Sequence, residues 1–445
     1  MIPMDDRTGR CWSRMERNRT RYAWQYLVCL LVLAFALGCA RNGVIGVENW
    51  QDTNPPKLSL KERAQAYQER LQDWHQMDDG LIIYRRWGKD HPQLPGYGNL
   101  ADGCFFGGVY LASQALRLAA TGDPEAREQV LLSLRALKLY AEVSGVRGLL
   151  ARYFSPVKPD DDRWRKSQTH PGYFWRSDVS KDQYAGYIHG LGVTLAVVSD
   201  QEIRSQIAPL ASAIADHLME NDLQIIDWDG ERTTYGDLRG RIIGVIPNGV
   251  NALICLAIFK VAAESTGEQK YIDFYDKLVQ DGYPGITRST HFATLGTDDR
   301  VNANMSYVAL YPLLLLEDDE EVVGEVRKGA LRTWSRVKED HNAFFSFAHA
   351  AVVEEGDEGK AKGRDAIFEF PDSKDVLVLT TRQPEPGSKP AVPLYQRPRN
   401  ANLWVSDPTK LAGHLEDMGY VEFTGIDYLI AYWMGRYHGF VGPDE

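Results

Sequence analysis

Residues Gly172 to Ser199 read GYFWRSDVSKDQYAGYIHGLGVTLAVVS, and this stretch sets the pattern for the rest of the chain. Its second half is an apolar run long enough for a buried helix, whereas its first half is polar and aromatic. Two carboxylates, Asp178 and Asp182, stand four residues apart at the start of that helix. A helix that only fills a core needs no such start, so we interpret this one as part of the wall of a binding site.

The same alternation of apolar helices with charged, one-sided helices recurs along the chain. An apolar helix must be covered on all sides and an amphipathic helix on one side only, so the two kinds predict an inner and an outer layer. Apolar helices are predicted at 102–120, up to 198, and at 248–265, 304–316, 342–353 and 425–438. Charged companion helices are predicted up to 143 and at 201–221, 270–280 and 320–338. The position of the companion of the last apolar helix is left open between 360 and 410.

Six helical hairpins closed into a ring make an all-α (α/α)6 toroid, which is the fold we predict. An open array of hairpins is the alternative, although the hairpins are too dissimilar in sequence for a regular solenoid. Two interruptions are expected. Residues 223–235 read as a β-hairpin that turns at Asp229-Gly230. Residues 357–402, rich in proline and glycine, read as a long irregular insertion.

The N-terminus predicts the compartment. Six arginines precede an apolar run at 27–37 that is too short to span a bilayer, as in a secretory signal. The run ends in Ala36-Leu37-Gly38-Cys39, which resembles a bacterial lipobox with an acylated cysteine. We predict a signal peptide at 1–38, a lipidated Cys39, a tether at 39–58 and one toroid domain at 59–445. The protein would then be anchored in a bacterial cell envelope, facing the periplasm or the cell surface. An ordinary signal peptide with a chance cysteine is the alternative.

Charge and cysteine usage exclude several classes of partner. The chain of 445 residues carries a net charge of -11, so it should repel nucleic acid. Cys104 and Cys255 lie in apolar runs and are expected to be buried as small hydrophobic groups, with one disulfide optional. No spacing of His and Cys suggests zinc. We predict no catalytic metal and no cofactor.

Polar residues cluster at the predicted starts of the apolar helices. If those helices are parallel, their N-termini share one face, where free N–H groups favour oxygen-rich ligands. Helix capping is the alternative at each position, including Asn248, Asn304 and Asn342, because Ser, Asp and Asn are the preferred N-caps. The candidate substrate-binding residues on and around this face are Asp102, Arg152, Trp175, Tyr184, Tyr187, His189, Asn251, Asn304, Tyr307, Asp427 and Tyr428.

Paired carboxylates on this face point to glycoside hydrolysis, which needs one protonated and one ionised carboxyl group across the scissile bond. Asp178 and Asp182 are too close together to serve as that pair alone. One of them combined with Glu422, Asp427 or Asp102 is more natural, and we favour Asp182 with Glu422. The catalytic candidates are therefore Asp182, Glu422 and Asp178.

A second reaction, β-elimination from a uronate, would use a Tyr or His base beside a group that screens the sugar carboxylate. Tyr187 and His189 are the candidate bases. Arg152, Arg176 and Asn251 are the candidate screening groups. A histidine on an apolar helix is more often a core residue, which keeps hydrolysis ahead.

The layout resembles the six-hairpin glycosidase-like superfamily of (α/α)6 toroids. The resemblance rests on Ser177-Asp178-Val179-Ser180-Lys181-Asp182-Gln183, on the turn Asp227-Trp228-Asp229-Gly230, on the Asn-Ala-Phe-Phe-Ser-Phe run at 342–347, and on the ending from Thr424 to Tyr437. It covers nearly the whole chain from about Gln76 onward, and it implies a poly- or oligosaccharide ligand. A glycoside hydrolase leads. A uronate lyase or epimerase on the same fold and a non-catalytic glycan-binding lipoprotein are the alternatives.

Overall fold

The computed structural model describes residues 55–87, 96–97, 102–158, 162–242, 244–290, 299–354, 356–373, 379–380, 391–397, 408, 412–413 and 420–445. The predicted signal peptide, Cys39 and most of the tether lie outside these residues. The structural account below therefore concerns the predicted toroid domain.

The described chain is built mainly from twelve long helices that alternate between two layers. In chain order they are α1 (Leu60–Arg70), α2 (Gly103–Thr121), α3 (Pro124–Glu142), α4 (Lys181–Val197), α5 (Gln201–Glu220), α6 (Gly249–Thr266), α7 (Gln269–Gln280), α8 (Asp299–Leu316), α9 (Glu320–Val337), α10 (Ala343–Val352), α11 (Glu358–Phe368) and α12 (Ile426–Tyr437). The even-numbered helices form the inner layer, and the odd-numbered ones form the outer layer.

Contacts between inner helices close the ring. Each of α2, α4, α6, α8 and α10 packs against the next inner helix, and α12 packs against both α10 and α2. Strand β1 (Arg85–Trp87) also pairs with β12 (Tyr420–Glu422), which joins the two ends of the domain. The fold is an (α/α)6 toroid. The prediction from the sequence is confirmed, and an open array is excluded by the contact between α12 and α2.

The companion of the last apolar helix, which the sequence pattern left open between 360 and 410, is helix α11 at Glu358–Phe368. In chain order, each outer helix pairs with the inner helix that follows it, which gives six complete pairs beginning with α1 and α2. Helix α12 contacts both α1 and α11. The prediction of an irregular insertion from residue 357 was wrong at its start, because Glu358–Phe368 is helix α11. Its glycines are there for close packing, since a Cβ on Gly363 would lie 2.4 Å from the Phe347 ring. The sequence pattern treats such glycines as helix breakers.

Burial follows the two layers. Helix α6 is buried over almost its whole length, whereas α7 buries only Tyr271, Tyr275 and Leu278. In the part of the chain that the structure describes, α6 is also the one helix long and apolar enough to cross a membrane, and 78% of that segment is buried inside the protein. Cys104 and Cys255 are buried free thiols, as the apolar runs around them predicted.

Helices α2 and α4 approach each other so closely that their backbones touch. A Cβ on Gly108 would lie 1.9 Å from the Gly186 carbonyl oxygen, and one on Gly190 would lie 2.5 Å from the Gly108 carbonyl oxygen. Only glycine allows this approach at these positions. The N-termini of the two helices are therefore neighbours.

Short strands occupy the connections at the N-terminal face of the inner helices. Strands β3 (Tyr153–Ser155), β5 (Phe174–Arg176) and β4 (Trp164–Lys166) form one antiparallel sheet before α4. Strands β6 (Gln224–Ile226) and β7 (Arg232–Asp237) form the predicted hairpin, with Gly230 at a φ of 81° in its turn. Three further pairings are β8 (Arg241–Ile242) with β9 (Ile246–Pro247), β2 (Gly96–Tyr97) with β1, and β10 (Leu379–Thr380) with β11 (Ala412–Gly413).

Candidate functional site

The N-cap residues of the inner helices fall into two groups. Asn248 and Asn342 cap their own helices, each side-chain oxygen accepting a backbone N–H at 3.1 Å. Asp102 and Ser180, at the starts of α2 and α4, make no such capping bond. Their side chains are instead directed to groups on other elements. Capping therefore explains Asn248 and Asn342, and it does not explain Asp102 and Ser180.

Gln183 joins the starts of α2 and α4. Its side-chain oxygen accepts the Phe105 N–H at 3.0 Å, so it caps the neighbouring helix α2. Its amide nitrogen donates to Asp102 Oδ1 at 3.0 Å and to Asp182 Oδ2 at 2.9 Å. One amide nitrogen thus bonds one oxygen of each carboxyl group. The distance between those two oxygens cannot exceed the sum of the two hydrogen-bond lengths.

Arg152 holds the same two helix starts from the side. Its guanidinium donates to Asp102 Oδ1 at 2.9 Å and to Ser180 Oγ at 2.6 Å. The predicted site residues Asp102, Asp182 and Arg152 are therefore brought together by the fold. They surround Gln183, which the sequence analysis did not select.

Asp102 is the carboxyl group of this cluster that holds its proton more strongly than usual. Burial raises its pKa most and the Asp182 carboxylate raises it further, while Arg152, Gln183 and Arg176 offset part of the increase. The side chain is nevertheless 43% exposed. A carboxyl group that is partly enclosed by protein and still open to water can contact a ligand.

Lys181 adds a cation beside the pair. Burial lowers the pKa of its ammonium group, and the charges of Asp182 and Asp237 act against that decrease. Its Nζ donates to Asn251 Oδ1 at 2.6 Å, and the Asn251 amide donates to the carbonyl oxygens of Asp237 and Arg239, each at 2.9 Å. Asn251 therefore positions Lys181, and its side chain is occupied by protein groups.

Glu422 does not have the environment of a proton donor. The Arg70 guanidinium donates to both of its oxygens, at 2.7 Å to Oε2, and His75 Nε2 lies 3.4 Å from Oε1. Burial favours a higher pKa, but the bonds from His75 and Arg70 outweigh it and hold the pKa at about 2. The residue is only 3% exposed. Glu422, which the sequence analysis paired with Asp182, is thus held by Arg70 and His75, and Asp102 is the carboxyl group that Gln183 joins to Asp182.

Asp178 is a clamp between helix α4 and the β6–β7 hairpin. Its Oδ1 accepts the Thr234 N–H at 2.8 Å, its Oδ2 accepts the Thr234 hydroxyl at 3.2 Å, and its own N–H donates to Asp227 Oδ2 at 2.9 Å. Its φ of 56° is in the left-handed region, which Asp tolerates better than most residues. Both oxygens are occupied, so we do not retain Asp178 as a catalytic group.

Four predicted aromatic contacts turn out to be core residues. Tyr184, Tyr187 and Tyr428 point toward the outer layer, where their hydroxyls donate to the carbonyl oxygens of Gly148, Leu137 and Leu60. All three are fully buried, and Trp175 in β5 is 3% exposed. An apolar helix buries tyrosine as readily as leucine once the hydroxyl finds a backbone acceptor.

His189 lies inside the ring of inner helices. Its Nδ1 is 2.8 Å from the Val308 carbonyl oxygen, and its ring packs against Tyr311 and Phe344. Burial lowers its pKa to about 4, so it is neutral at pH 7. Since Tyr187 and His189 are both fully buried, the elimination hypothesis loses its two candidate bases.

The three remaining candidates are buried at the starts of α8 and α12. Asn304 and Tyr307 are 6% and 0% exposed, and Tyr307 stacks on Phe345 at 4.9 Å. Because α8 begins at Asp299, Asn304 lies inside the helix and is not its cap. Asp427 Oδ1 accepts the Tyr428 N–H at 3.2 Å. Burial and then the charges of Asp102 and Asp427 raise the pKa of Tyr84.

The sequence analysis missed Lys181, Gln183 and Tyr84. The first two belong to the quoted stretch, and they flank Asp182 in the first turn of α4. For Lys181 and Gln183, the sequence signal is the run of three polar residues at the start of an otherwise apolar helix. Within the described ranges, no cluster of three or more His, Cys, Asp or Glu could hold a metal ion. The absence of a metal and of a cofactor stays a prediction.

Comparison with known proteins finds distant matches among solved structures. No family model and no curated protein matches the chain. Among solved structures, a sugar epimerase from a ruminal bacterium matches at 10% identity over 86% of this chain and 99% of that one, with a TM-score of 0.49. The cellobiose 2-epimerase of Spirochaeta thermophila DSM 6192 matches at 13% identity over 85% and 97%, with a TM-score of 0.43.

A family 76 glycoside hydrolase from a bovine Bacteroides thetaiotaomicron strain matches at 11% identity over 85% of this chain and 77% of that chain, with a TM-score of 0.46. These chains are similar to the toroid in fold at most, since so low an identity transfers no residue and no activity. The assignment of the toroid fold therefore rests on the contacts between the inner helices and not on these matches.

Proposed function

We propose that this toroid is a glycoside hydrolase in which Asp102 donates a proton and Asp182 acts as the ionised carboxylate. The observation that carries the proposal is the Gln183 amide nitrogen, which lies 3.0 Å from Asp102 and 2.9 Å from Asp182. It keeps two carboxyl groups close together at the starts of two inner helices. Paired carboxyl groups with different proton affinities are what glycosidic cleavage requires.

The roles follow from the surroundings of each group. The raised pKa of Asp102 favours its protonated form, so it can give a proton to the glycosidic oxygen as the bond to the anomeric carbon breaks. Asp182 lies in the first turn of α4, where the helix favours negative charge, and Lys181 adds a neighbouring cation. Gln183 bonds both carboxyl groups, and Arg152 bonds Asp102.

The separation of the carboxyl groups supports a retaining mechanism. Retaining enzymes place the two groups about 5–5.5 Å apart, whereas inverting enzymes leave about 6.5–9.5 Å for a water molecule. The two oxygens that bond the Gln183 amide nitrogen are closer together than the separation typical of inverting enzymes. In this mechanism Asp182 attacks the anomeric carbon and forms a glycosyl-enzyme. Asp102, deprotonated by the first step, then takes a proton from the water that releases the sugar.

The experiment uses protein that starts after Cys39, incubated with a panel of neutral and uronate-containing glycans. New reducing ends without ultraviolet absorbance indicate hydrolysis, and absorbance from unsaturated ends would indicate elimination instead. We expect Asp102→Asn and Asp182→Asn each to lower kcat by at least about 10²-fold, because general acid and nucleophilic groups contribute that much or more. NMR of the first product should show the anomer of the substrate.

Glu69→Gln is the matched control. It also removes one negative charge, and it should keep most of the activity because the exposed Glu69 is bonded to Gln65 on the same outer helix α1. The pairing is wrong if Asp102→Asn retains wild-type turnover while Glu422→Gln, folded to the same extent, loses it. Retention of a glycan with no turnover in any preparation would favour the non-catalytic binding role.

The proposal includes the membrane tether. A lipid on Cys39 would hold the toroid at the bacterial envelope, where polysaccharides outside the cytoplasm are within reach. The signal sequence and the lipobox-like Ala36-Leu37-Gly38-Cys39 support this placement.

A further inference from the structure

Two short hairpins between α5 and α6 carry an exposed apolar surface. Trp228 is 45% exposed, Tyr235 is 66% exposed, and Val245 and Ile246 are 74% and 45% exposed. Trp228 lies in the turn between β6 and β7, and Tyr235 lies on β7. Val245 lies between β8 and β9, and Ile246 begins β9. Because this segment leads from the end of an outer helix to the start of an inner helix, it lies on the same face of the ring as Asp102 and Asp182.

The aromatic hairpin is tied to the helix that carries Asp182. The clamp at Asp178 makes two bonds to Thr234, at 2.8 and 3.2 Å, and one bond from its N–H to Asp227 at 2.9 Å. Thr234 precedes Tyr235, and Asp227 precedes Trp228. Each exposed aromatic residue is thus adjacent in sequence to a residue that bonds Asp178, and Asp178 is four residues from Asp182.

Trp228 is also held by its neighbour in the β3–β5–β4 sheet. The Arg165 guanidinium lies 4.4 Å from the centre of the Trp228 ring. An aromatic ring that is already held in place loses little conformational freedom when a ligand binds it. The ring nonetheless keeps 45% of its surface open to water, which packing alone would have removed.

We propose that Trp228 and Tyr235 bind a glycan chain that extends from the candidate site at Asp102 and Asp182. The proposal rests on the proposed function for the identity of the ligand. A pyranose presents one apolar face of C–H groups, which packs on an exposed aromatic ring, while its hydroxyls remain in water. A ring separated from the cleaved bond can only contact a substrate several sugars long. The substrate class is therefore a polysaccharide or a longer oligosaccharide, bound across more than one unit.

The test compares Trp228→Ala/Tyr235→Ala with the wild type on one glycan series of increasing length. We expect KM to rise about ten-fold or more for chains long enough to reach the hairpin, and to stay within about two-fold for the shortest cleavable member. Phe368→Ala is the matched control, because Phe368 is also an exposed aromatic residue, at 47%, with Arg364 over its ring at 5.9 Å. Phe368 lies on outer helix α11 and should affect no substrate.

A second measurement separates this inference from the proposed function. Retention of the polymer in affinity electrophoresis is compared between Asp182→Asn and Asp182→Asn/Trp228→Ala/Tyr235→Ala. Loss of retention only in the latter supports the glycan surface even if no preparation shows turnover. Equal KM changes for short and long chains, or unchanged retention, would overturn it even if hydrolysis is established. In that case a protein partner would be the remaining ligand for these side chains.

Discussion

Three carboxyl groups near the starts of the inner helices differ in what surrounds them. Asp102 has a raised pKa and an open side, Asp178 is bound on both oxygens by Thr234, and Glu422 is buried against Arg70 and His75. Sequence spacing treats these three as equivalent, since each is an acid near the start of an apolar helix. Hydrogen bonding and burial leave Asp102 open to a ligand, hold Asp178 against Thr234 and pair Glu422 with Arg70 and His75.

Glu422→Gln tests the structural role at this scale. We expect the variant to lose about 2–4 kcal/mol of unfolding free energy at pH 7, because it leaves the Arg70 and His75 groups without their anion. A lowered folded-state pKa stabilises the fold above the ordinary Glu value of about 4.3, and that stability is lost as pH falls toward 2. The difference between the variant and the wild type should therefore shrink on acidification.

Urea unfolding of the wild type and Glu422→Gln at a series of pH values measures this difference. Glu69→Gln on the outer helix α1 is a suitable control, since Glu69 bonds only to Gln65 on the exposed side of its own helix in the described structure. A difference between Glu422→Gln and the wild type that does not change with pH would contradict the assignment.

At the scale of elements, the distance between α2 and α4 governs the site. Gly108, Gly186 and Gly190 let the two backbones touch, and Gln183 and Arg152 then join their N-termini. From the sequence these glycines read as small residues in an apolar helix, which weaken it slightly. Their purpose is visible only when the neighbouring helix is in place.

Gly186→Ala should separate the two helices. The added Cβ would lie 2.5 Å from Phe105 Cα and 2.6 Å from its carbonyl oxygen, so the backbone must move. We expect a loss of about 1–3 kcal/mol in unfolding free energy and a fall in kcat, because Asp102 and Asp182 stand at the ends of these helices. Thermal unfolding and steady-state kinetics measure the two effects.

Gly324→Ala in helix α9 is the control, because nothing lies within 4 Å of the added methyl group. That variant should gain about 0.4–1 kcal/mol, since alanine is the better helix former. Wild-type stability and activity in Gly186→Ala would show that backbone contact does not set the pair.

At the scale of the whole molecule, the two ends of the domain meet. Helix α12 packs on α2 and α1, β12 pairs with β1, and Arg364 of α11 binds Glu445 near the chain end. The inner helices therefore form one closed wall, and their N-termini surround a common face. A closed ring holds the site on rigid elements, which favours accurate placement of the carboxyl groups.

The remaining prediction concerns where the whole molecule resides. In bacteria that process lipoproteins, the full-length chain should partition into the detergent phase of Triton X-114, and Cys39→Ser should move it to the aqueous phase. One acyl-modified cysteine supplies the membrane affinity in this proposal. Mass spectrometry of the N-terminal peptide identifies the modification. Aqueous partitioning of the wild type would instead support an ordinary signal peptide.

The sequence by itself determined the features that depend on neighbours along the chain. Apolar and charged periodicity predicted the two layers, Asp229-Gly230 predicted the hairpin, and Asn248 and Asn342 were recognised as potential caps. The tertiary structure decided the rest. It alone closed the ring, placed Asp102 rather than Glu422 beside Asp182, and buried Tyr184, Tyr187 and His189. The physical reason is that a carboxyl group's proton affinity and a side chain's exposure are set by residues distant in sequence, which periodicity along one helix does not contain.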